Sequence, residues 1–170
     1  MTDSPLNTHR ASAPDIIRCA LITVSDTRTP DTDRGGQKLL DHLDADGYRI
    51  VARDIIPDEP EAMRSLLTHL TDQPIADAVL LTGGTGIGRR DQTFETVSSL
   101  LDKVLPGYGE LFRMLSYQEI GPAAMLSRAI GGVRRQSVVL TMPGSPAAVD
   151  LAMTKIILPE LGHLVQQAKR

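Results

Sequence analysis

Short apolar runs alternate with longer periodic stripes along this chain, and the alternation is the first guide to its architecture. Ile16 to Val24 (IIRCALITV) is β-branched and apolar and predicts a first strand. Leu39, Leu40 and Leu43 follow at helical spacing within Gln37 to Leu43, with Gly47 as the stop. Tyr48 to Ile56 predicts a second strand that ends at Pro57. Asp58-Glu59-Pro60 opens a helix with its carboxylates where the helix dipole favours them. The buried stripe of that helix is Met63, Leu66, Leu67 and Leu70. Ala78 to Leu81 is too short for a helix and predicts a buried third strand.

In the second half, Phe94, Val97, Leu100, Leu101 and Val104 predict a helix over Thr93 to Val104, broken at Pro106-Gly107. Tyr108 to Ile120 is a further helix, and Ala123 to Ala129 reads as either a short helix or an extended segment. Ile130 to Val133 and Ser137 to Met142, joined by Arg134-Arg135-Gln136, predict a hairpin. Pro146 suits the first turn of a last helix over Ala147 to Leu158, and a helical stretch beyond Pro159 runs to about Ala168. The order predicts a single α/β domain over residues 15–168, three-layered α/β/α with a mostly parallel sheet, behind a disordered tail of residues 1–14.

Such sheets bind ligands beyond the carboxyl ends of their strands. Four segments with ligand-like chemistry sit there: Ser25-Asp26-Thr27, Pro57-Asp58-Glu59, Thr82 to Asp91, and Pro143-Gly144-Ser145-Pro146. The third carries the most chemistry, with Gly83, Gly84, Gly86 and Gly88 interleaved with Thr85 and Ile87. Glycine permits positive φ and close approach, so the loop can turn free N–H groups toward an anion. Thr82 and Thr85 add hydroxyls, Arg89 and Arg90 add charge, and Asp91 adds a carboxylate suited to Mg²⁺. The dinucleotide motif GxGxxG fails at Arg89, and the P-loop motif fails where Arg89 and Arg90 replace its lysine and hydroxyl.

Composition narrows the function classes. A net charge of −3 and 3% aromatic residues give neither an electrostatic nor a stacking basis for nucleic-acid binding. No apolar stretch is long enough to span a membrane, and a single cysteine, Cys19, within an apolar run fits a reducing cytoplasm. The four histidines are scattered without metal-ligand spacing.

Several of these segments together resemble the MoaB/MogA family of molybdenum-cofactor biosynthesis. They are TGGTG at Thr82 to Gly86, Arg90-Asp91, Pro106-Gly107-Tyr108-Gly109-Glu110, Phe112 to Ser116, Leu126-Ser127-Arg128-Ala129 and Met142-Pro143-Gly144-Ser145. The stretches FRMLSYQEIG and MLSRAIGGV are closer to the MoaB branch. The resemblance implies a molybdopterin-binding fold that adenylylates molybdopterin with Mg²⁺ and ATP, releasing pyrophosphate. It implies Asp58 and Asp91 as catalytic carboxylates, with Asp91 as the Mg²⁺ ligand. Gly83, Gly84, Thr85 and Gly86, with Thr82, would cradle phosphate. Pro143, Gly144 and Ser145 would hold the pterin's polar edge or phosphate, and Ser25 and Asp26 would contact ligand. It also implies a homotrimer or hexamer and handover to a molybdenum-insertion protein.

Rival readings stand beside these. A non-catalytic molybdopterin carrier is the alternative function. Asp58 and Asp91 also read as caps of the helices that follow them, and Ser145 before Pro146 reads as an N-cap. Arg113 and Arg128 read as subunit contacts or surface pairs.

Overall fold

The computed structural model describes residues 16–170; the expected N-terminal tail lies outside them. Four strands run parallel: β1 (Arg18–Val24), β2 (Arg49–Ile56), β3 (Ala78–Thr82) and β6 (Ser137–Met142). Two short strands, β4 (Lys103–Val104) and β5 (Gly131–Arg134), extend the β6 side antiparallel, giving the order β2-β1-β3-β6-β5-β4. The hairpin turn is where the sequence places it, with Arg135 in the left-handed region at φ 54°.

Strand alternation divides the core in two. Cys19, Leu21, Leu80, Leu140 and Met142 face α1 (Arg34–Ala45), α4 (Pro106–Ile120), α5 (Pro146–Ala152) and α6 (Leu158–Ala168). Ala20, Ile22, Val79, Leu81 and Val139 face α2 (Pro60–Asp72) and α3 (Thr93–Leu100). Both faces are covered, so the central strands are near-continuous apolar runs, and every residue of β3 and β6 is buried. Burial in an apolar layer pushes the Cys19 thiol up to about 12, with Asp77 adding to the effect, so the thiol is inert at neutral pH. Among the described residues no helix is long and apolar enough to cross a membrane.

Three boundaries differ from the sequence expectation. The helix over Thr93 to Val104 stops at Leu100, because Lys103 and Val104 pair with Val133 and Gly132 as β4. The apolar Val104 fits either period, and the partner strand decides. Pro106 begins α4 at its first turn, where its missing N–H costs nothing. Arg34, Gly35 and Gly36 belong to α1, which starts early because Asp33 caps it by accepting the Gly36 N–H at 2.9 Å. Asp33 also takes the Thr23 hydroxyl at 2.7 Å, tying the helix to the end of β1. Between α5 and α6 the chain makes a wide π turn, Met153–Ile157, closed by the Leu158 N–H on the Met153 carbonyl. Pro159 cannot donate to Lys155, and the wide turn accommodates that gap. The segment left open between helix and strand is a 3₁₀ turn, Gly121–Leu126, followed by irregular chain.

Candidate functional site

Because β1, β2, β3 and β6 are parallel, the four chemistry-bearing segments emerge on one edge of the sheet. The chain leaving β3 goes to α3 on one face, and the chain leaving β6 goes to α5 on the other. The two loops diverge and a cavity of about 330 Å³ opens between them. Its polar side is Gly84, Thr85, Gly86, Asp91, Gly144 and Ser145. Its apolar side comes from α4 and the 3₁₀ turn: Phe112, Ile120, Ala123, Ala124 and Leu126, with the hydroxyls of Ser116 and Ser127 among them.

Two glycines make the loop possible. Gly83 has φ 100°, and a Cβ there would meet the Val24 carbonyl oxygen. Gly84 has φ 62°, and a Cβ there would lie 2.6 Å from Asp58 Oδ2. Around them the loop is pinned from outside. The Gly83 N–H donates to the Met142 carbonyl at 3.0 Å, and Thr93 donates its hydroxyl to the Gly83 carbonyl (3.0 Å) and its N–H to that of Gly84 (3.1 Å). Asp91 closes the loop by accepting the Gly88 N–H at 2.7 Å. Among the described residues, no acceptor engages the N–H groups of Gly84, Thr85 and Gly86. A cavity lined by unengaged amides and backed by apolar surface suits the anionic end of a small amphipathic ligand.

The structure brings Gly84, Thr85, Gly86, Asp91, Pro143, Gly144 and Ser145 together on the cavity. Ser145 also caps α5, accepting the Ala148 N–H at 3.2 Å, so cap and wall coincide in one residue. Thr82 is placed elsewhere: it is fully buried and donates its hydroxyl to the Pro143 carbonyl at 3.1 Å, clamping the two loops from beneath. Ser25 makes a turn of its own, accepting the Thr27 and Arg28 N–H groups at 3.2 Å. Asp26 is bound by Arg90, whose Nε and Nη2 donate to its two oxygens at 3.0 Å, while Arg90 Nη1 donates to Glu59 at 2.7 Å. Arg90 thus links three of the four loops and holds the Asp26 carboxyl below its ordinary range, helped by the Asp58 N–H.

Asp58 caps neither its own helix nor the cavity. It is buried behind Gly84, and its Oδ1 accepts the Gln92 N–H at 3.0 Å, at the start of α3. The N-cap position of α2 is Glu59, which makes no side-chain cap bond. Burial raises the Asp58 pKa, against the Gln92 bond, and the charges of Asp91 and Asp26 raise it further. Among the described residues no three His, Cys, Asp or Glu side chains converge as a metal cage. Mg²⁺ ordinarily takes one or two carboxylates and completes its shell with water and phosphate oxygens, so the single carboxylate of Asp91 fits a cation that arrives with phosphates.

Sequence reasoning missed the apolar wall. Phe112, Ser116 and Ile120 stand at i, i+4 and i+8 on α4, a spacing that core packing explains equally well. Only the fold shows that this stripe passes the ends of β3 and β6.

Fold and site together define a class: a three-layer α/β domain with a cavity suited to an anionic small molecule between two diverging strand-end loops. Residues 20–163 match the family described as "Probable molybdopterin binding domain", and the chain belongs to this MoaB/MogA family. It is 51% identical over 164 residues to Molybdenum cofactor biosynthesis protein B of Bacillus subtilis (strain 168), covering 95% of this chain and 96% of that one. A crystal structure of Molybdenum cofactor biosynthesis protein B superposes with a TM-score of 0.87 at 49% identity, covering 92% of this chain and 98% of the other. The tungsten cofactor synthesizing protein MoaB from Pyrococcus furiosus gives 0.83 at 36% identity, covering 93% and 100%. The similarity to proteins named for the B branch agrees with the reading of FRMLSYQEIG and MLSRAIGGV.

Proposed function

We propose that this protein binds molybdopterin in the cavity between the β3 and β6 loops and adenylylates it with Mg²⁺ and ATP. The observation that carries the reading is that Gly84, Thr85 and Gly86, whose amides are unengaged, line one partly apolar cavity with Ser145. The apolar wall takes the face of a ring system and the amides take its phosphate. A second cleft of about 410 Å³, lined by Arg28, Asp31, Thr32, Arg34 and Gly35, shares Gly144 with the first. Its two arginines suit a polyphosphate, so the junction at Gly144 is where a terminal phosphate on molybdopterin would reach the α-phosphorus of ATP. Adenylyl transfer then forms one P–O bond and breaks another, with pyrophosphate leaving. The transfer needs positioning and charge neutralisation more than covalent help from protein. Asp91 would hold the Mg²⁺ that accompanies ATP, and Asp58 would stiffen the loop from behind through Gln92. Exposed apolar side chains on α4 and the turn after it (Leu111, Met114, Tyr117, Ile120, Met125, Leu126) support self-assembly, as a trimer or hexamer, and handover to a metal-insertion protein.

A second reading, a carrier that binds molybdopterin without catalysis, is favoured by the position of Asp58 off the cavity wall. One experiment separates the two: pyrophosphate release from Mg·ATP and molybdopterin by wild type, Asp91→Asn and Asp58→Asn. The enzyme reading expects turnover that falls about a hundredfold in Asp91→Asn and less in Asp58→Asn. Saturable molybdopterin binding with no pyrophosphate from wild type makes the protein a carrier.

A further inference from the structure

Arg128 lies between the 3₁₀ turn and β5, off the cavity wall, yet it is bonded to the loop that forms the wall. Its backbone N–H donates to the Thr85 carbonyl at 3.0 Å. Its Nε donates to the Gly86 carbonyl at 2.7 Å and its Nη2 to the Asp91 carbonyl at 2.9 Å. Nη1 is paired with the Glu95 carboxylate, and the guanidinium sits 5.4 Å from the centre of the Phe94 ring, so α3 fixes it from the far side. In a trans peptide the C=O and N–H point in opposite directions. Drawing the Thr85 and Gly86 carbonyls toward Arg128 therefore turns the N–H groups of Gly86 and Ile87 away from it. Thr85 and Gly86 themselves line the cavity that Arg128 does not.

We infer that Arg128 is the positioning residue of the anion cradle: its backbone N–H holds the Thr85 carbonyl and its guanidinium holds the Gly86 and Asp91 carbonyls, which sets the direction of the Gly86 and Ile87 amides and the place of Asp91 on the cavity. The inference rests on reading the cavity as an anion site. It goes beyond that reading by assigning the geometry of the cradle to a residue that does not line the cavity. The planar fork of arginine is required, because an ammonium group cannot reach two carbonyls and a carboxylate in one plane.

The test uses the full chain and four proteins: wild type, Arg128→Met, Arg128→Lys and Glu95→Gln. Binding of molybdopterin and of inorganic phosphate is measured by calorimetry, and amide hydrogen exchange is read at Gly84 to Ile87 alongside thermal unfolding. Arg128→Met is expected to weaken both ligands at least about tenfold and to speed exchange at the loop amides. Arg128→Lys should recover thermal stability but only a small part of the affinity. Glu95→Gln, which keeps all three loop bonds, should bind within about threefold of wild type. Affinity for both ligands unchanged in Arg128→Met and Arg128→Lys overturns the inference while leaving the functional reading intact. Wild type that binds phosphate but not molybdopterin overturns the functional reading, and the phosphate affinities of the variants then decide the inference. Wild type that binds neither overturns both. Should Arg128→Met fail to fold, Arg128→Lys carries the test, and full affinity there rejects the arginine fork.

Discussion

The two ends of the same parallel strands are built on opposite terms. At the amino end, Asp77 precedes β3 and is almost fully buried, yet its carboxylate is saturated. It accepts the Arg18 N–H at 2.8 Å, the Arg18 guanidinium at 2.8 and 3.1 Å, and the Lys169 ammonium at 2.7 Å. The neighbouring Ser137 hydroxyl donates to the Ala76 carbonyl at 2.6 Å, and the Val138 N–H donates to the Asp77 carbonyl at 2.9 Å. At the carboxyl end, loop amides are left unengaged, two glycines take positive φ, and Asp58 is buried with a single backbone donor, from Gln92, on its carboxylate. Burial alone would raise both aspartates. Arg18 and Lys169 overcome it at Asp77 and hold that carboxyl at about 2, whereas at Asp58 burial prevails and the pKa goes up. One edge is satisfied internally and stabilises the fold. The other leaves backbone donors unengaged beside a cavity.

The largest effect that would break this contrast is expected from Asp77→Asn. An amide keeps only one accepting oxygen, sets an NH₂ group against the donors that the other oxygen serves, and removes the charge that Arg18 and Lys169 pair with. The expected loss is about 3 kcal/mol, a fall in Tm of about 6–12 °C, with molybdopterin affinity unchanged. Calorimetric melts paired with binding isotherms check it; a loss of affinity comparable to the loss of stability would show that the two edges are coupled.

Acid titration of the wild type comes next. The Asp77 pKa is depressed from an unfolded value near 3.9 to about 2. Its stabilisation is therefore present above about pH 4 and is lost as pH falls toward 2, a contribution of about 2–3 kcal/mol. Urea unfolding at pH 5, 4, 3 and 2 should show a drop that is much smaller in Asp77→Asn. Equal slopes in the two proteins would assign the acid sensitivity to other carboxylates.

How much of this was legible in the sequence follows from the range of the interactions. Loops at strand ends announce themselves locally: Ser25, Asp58, Gly83 and Ser145 each follow an apolar run, and a parallel sheet gathers them on one edge. The glycine loop was readable because positive φ demands particular residues at particular places. Thr82 was not, since nothing local says that its hydroxyl turns under the β6 loop to Pro143, 61 residues away. Arg128 was visible as a residue but not as a clamp, because its loop acceptors are backbone carbonyls 37 and 42 residues distant, and carbonyls leave no trace in sequence. Val104 misled in the other direction: it completes a helical stripe whose last turn is instead the edge strand β4.

The smallest effect is the sharpest comparison, because it applies the Asp77 substitution to the opposite edge. The raised pKa of Asp58 means that its protonated form is favoured by the fold. Its stabilising contribution is present at low pH and is lost as pH rises through the folded pKa, the reverse of Asp77. Asparagine is a permanent copy of the neutral form and can still accept the Gln92 N–H. Asp58→Asn should therefore leave Tm at pH 7 unchanged or slightly raised, with the difference from wild type shrinking as pH falls through the raised folded pKa and gone below about 4. Melts of both proteins across that range, run beside the pyrophosphate assay, check it. A higher Tm with lower turnover means that the carboxylate is kept at a cost to stability for what its charge does to the loop and to Asp91. A lower Tm means that the Asp58–Gln92 bond needs the charge to hold, and the carboxyl edge would then be braced ionically like the amino edge.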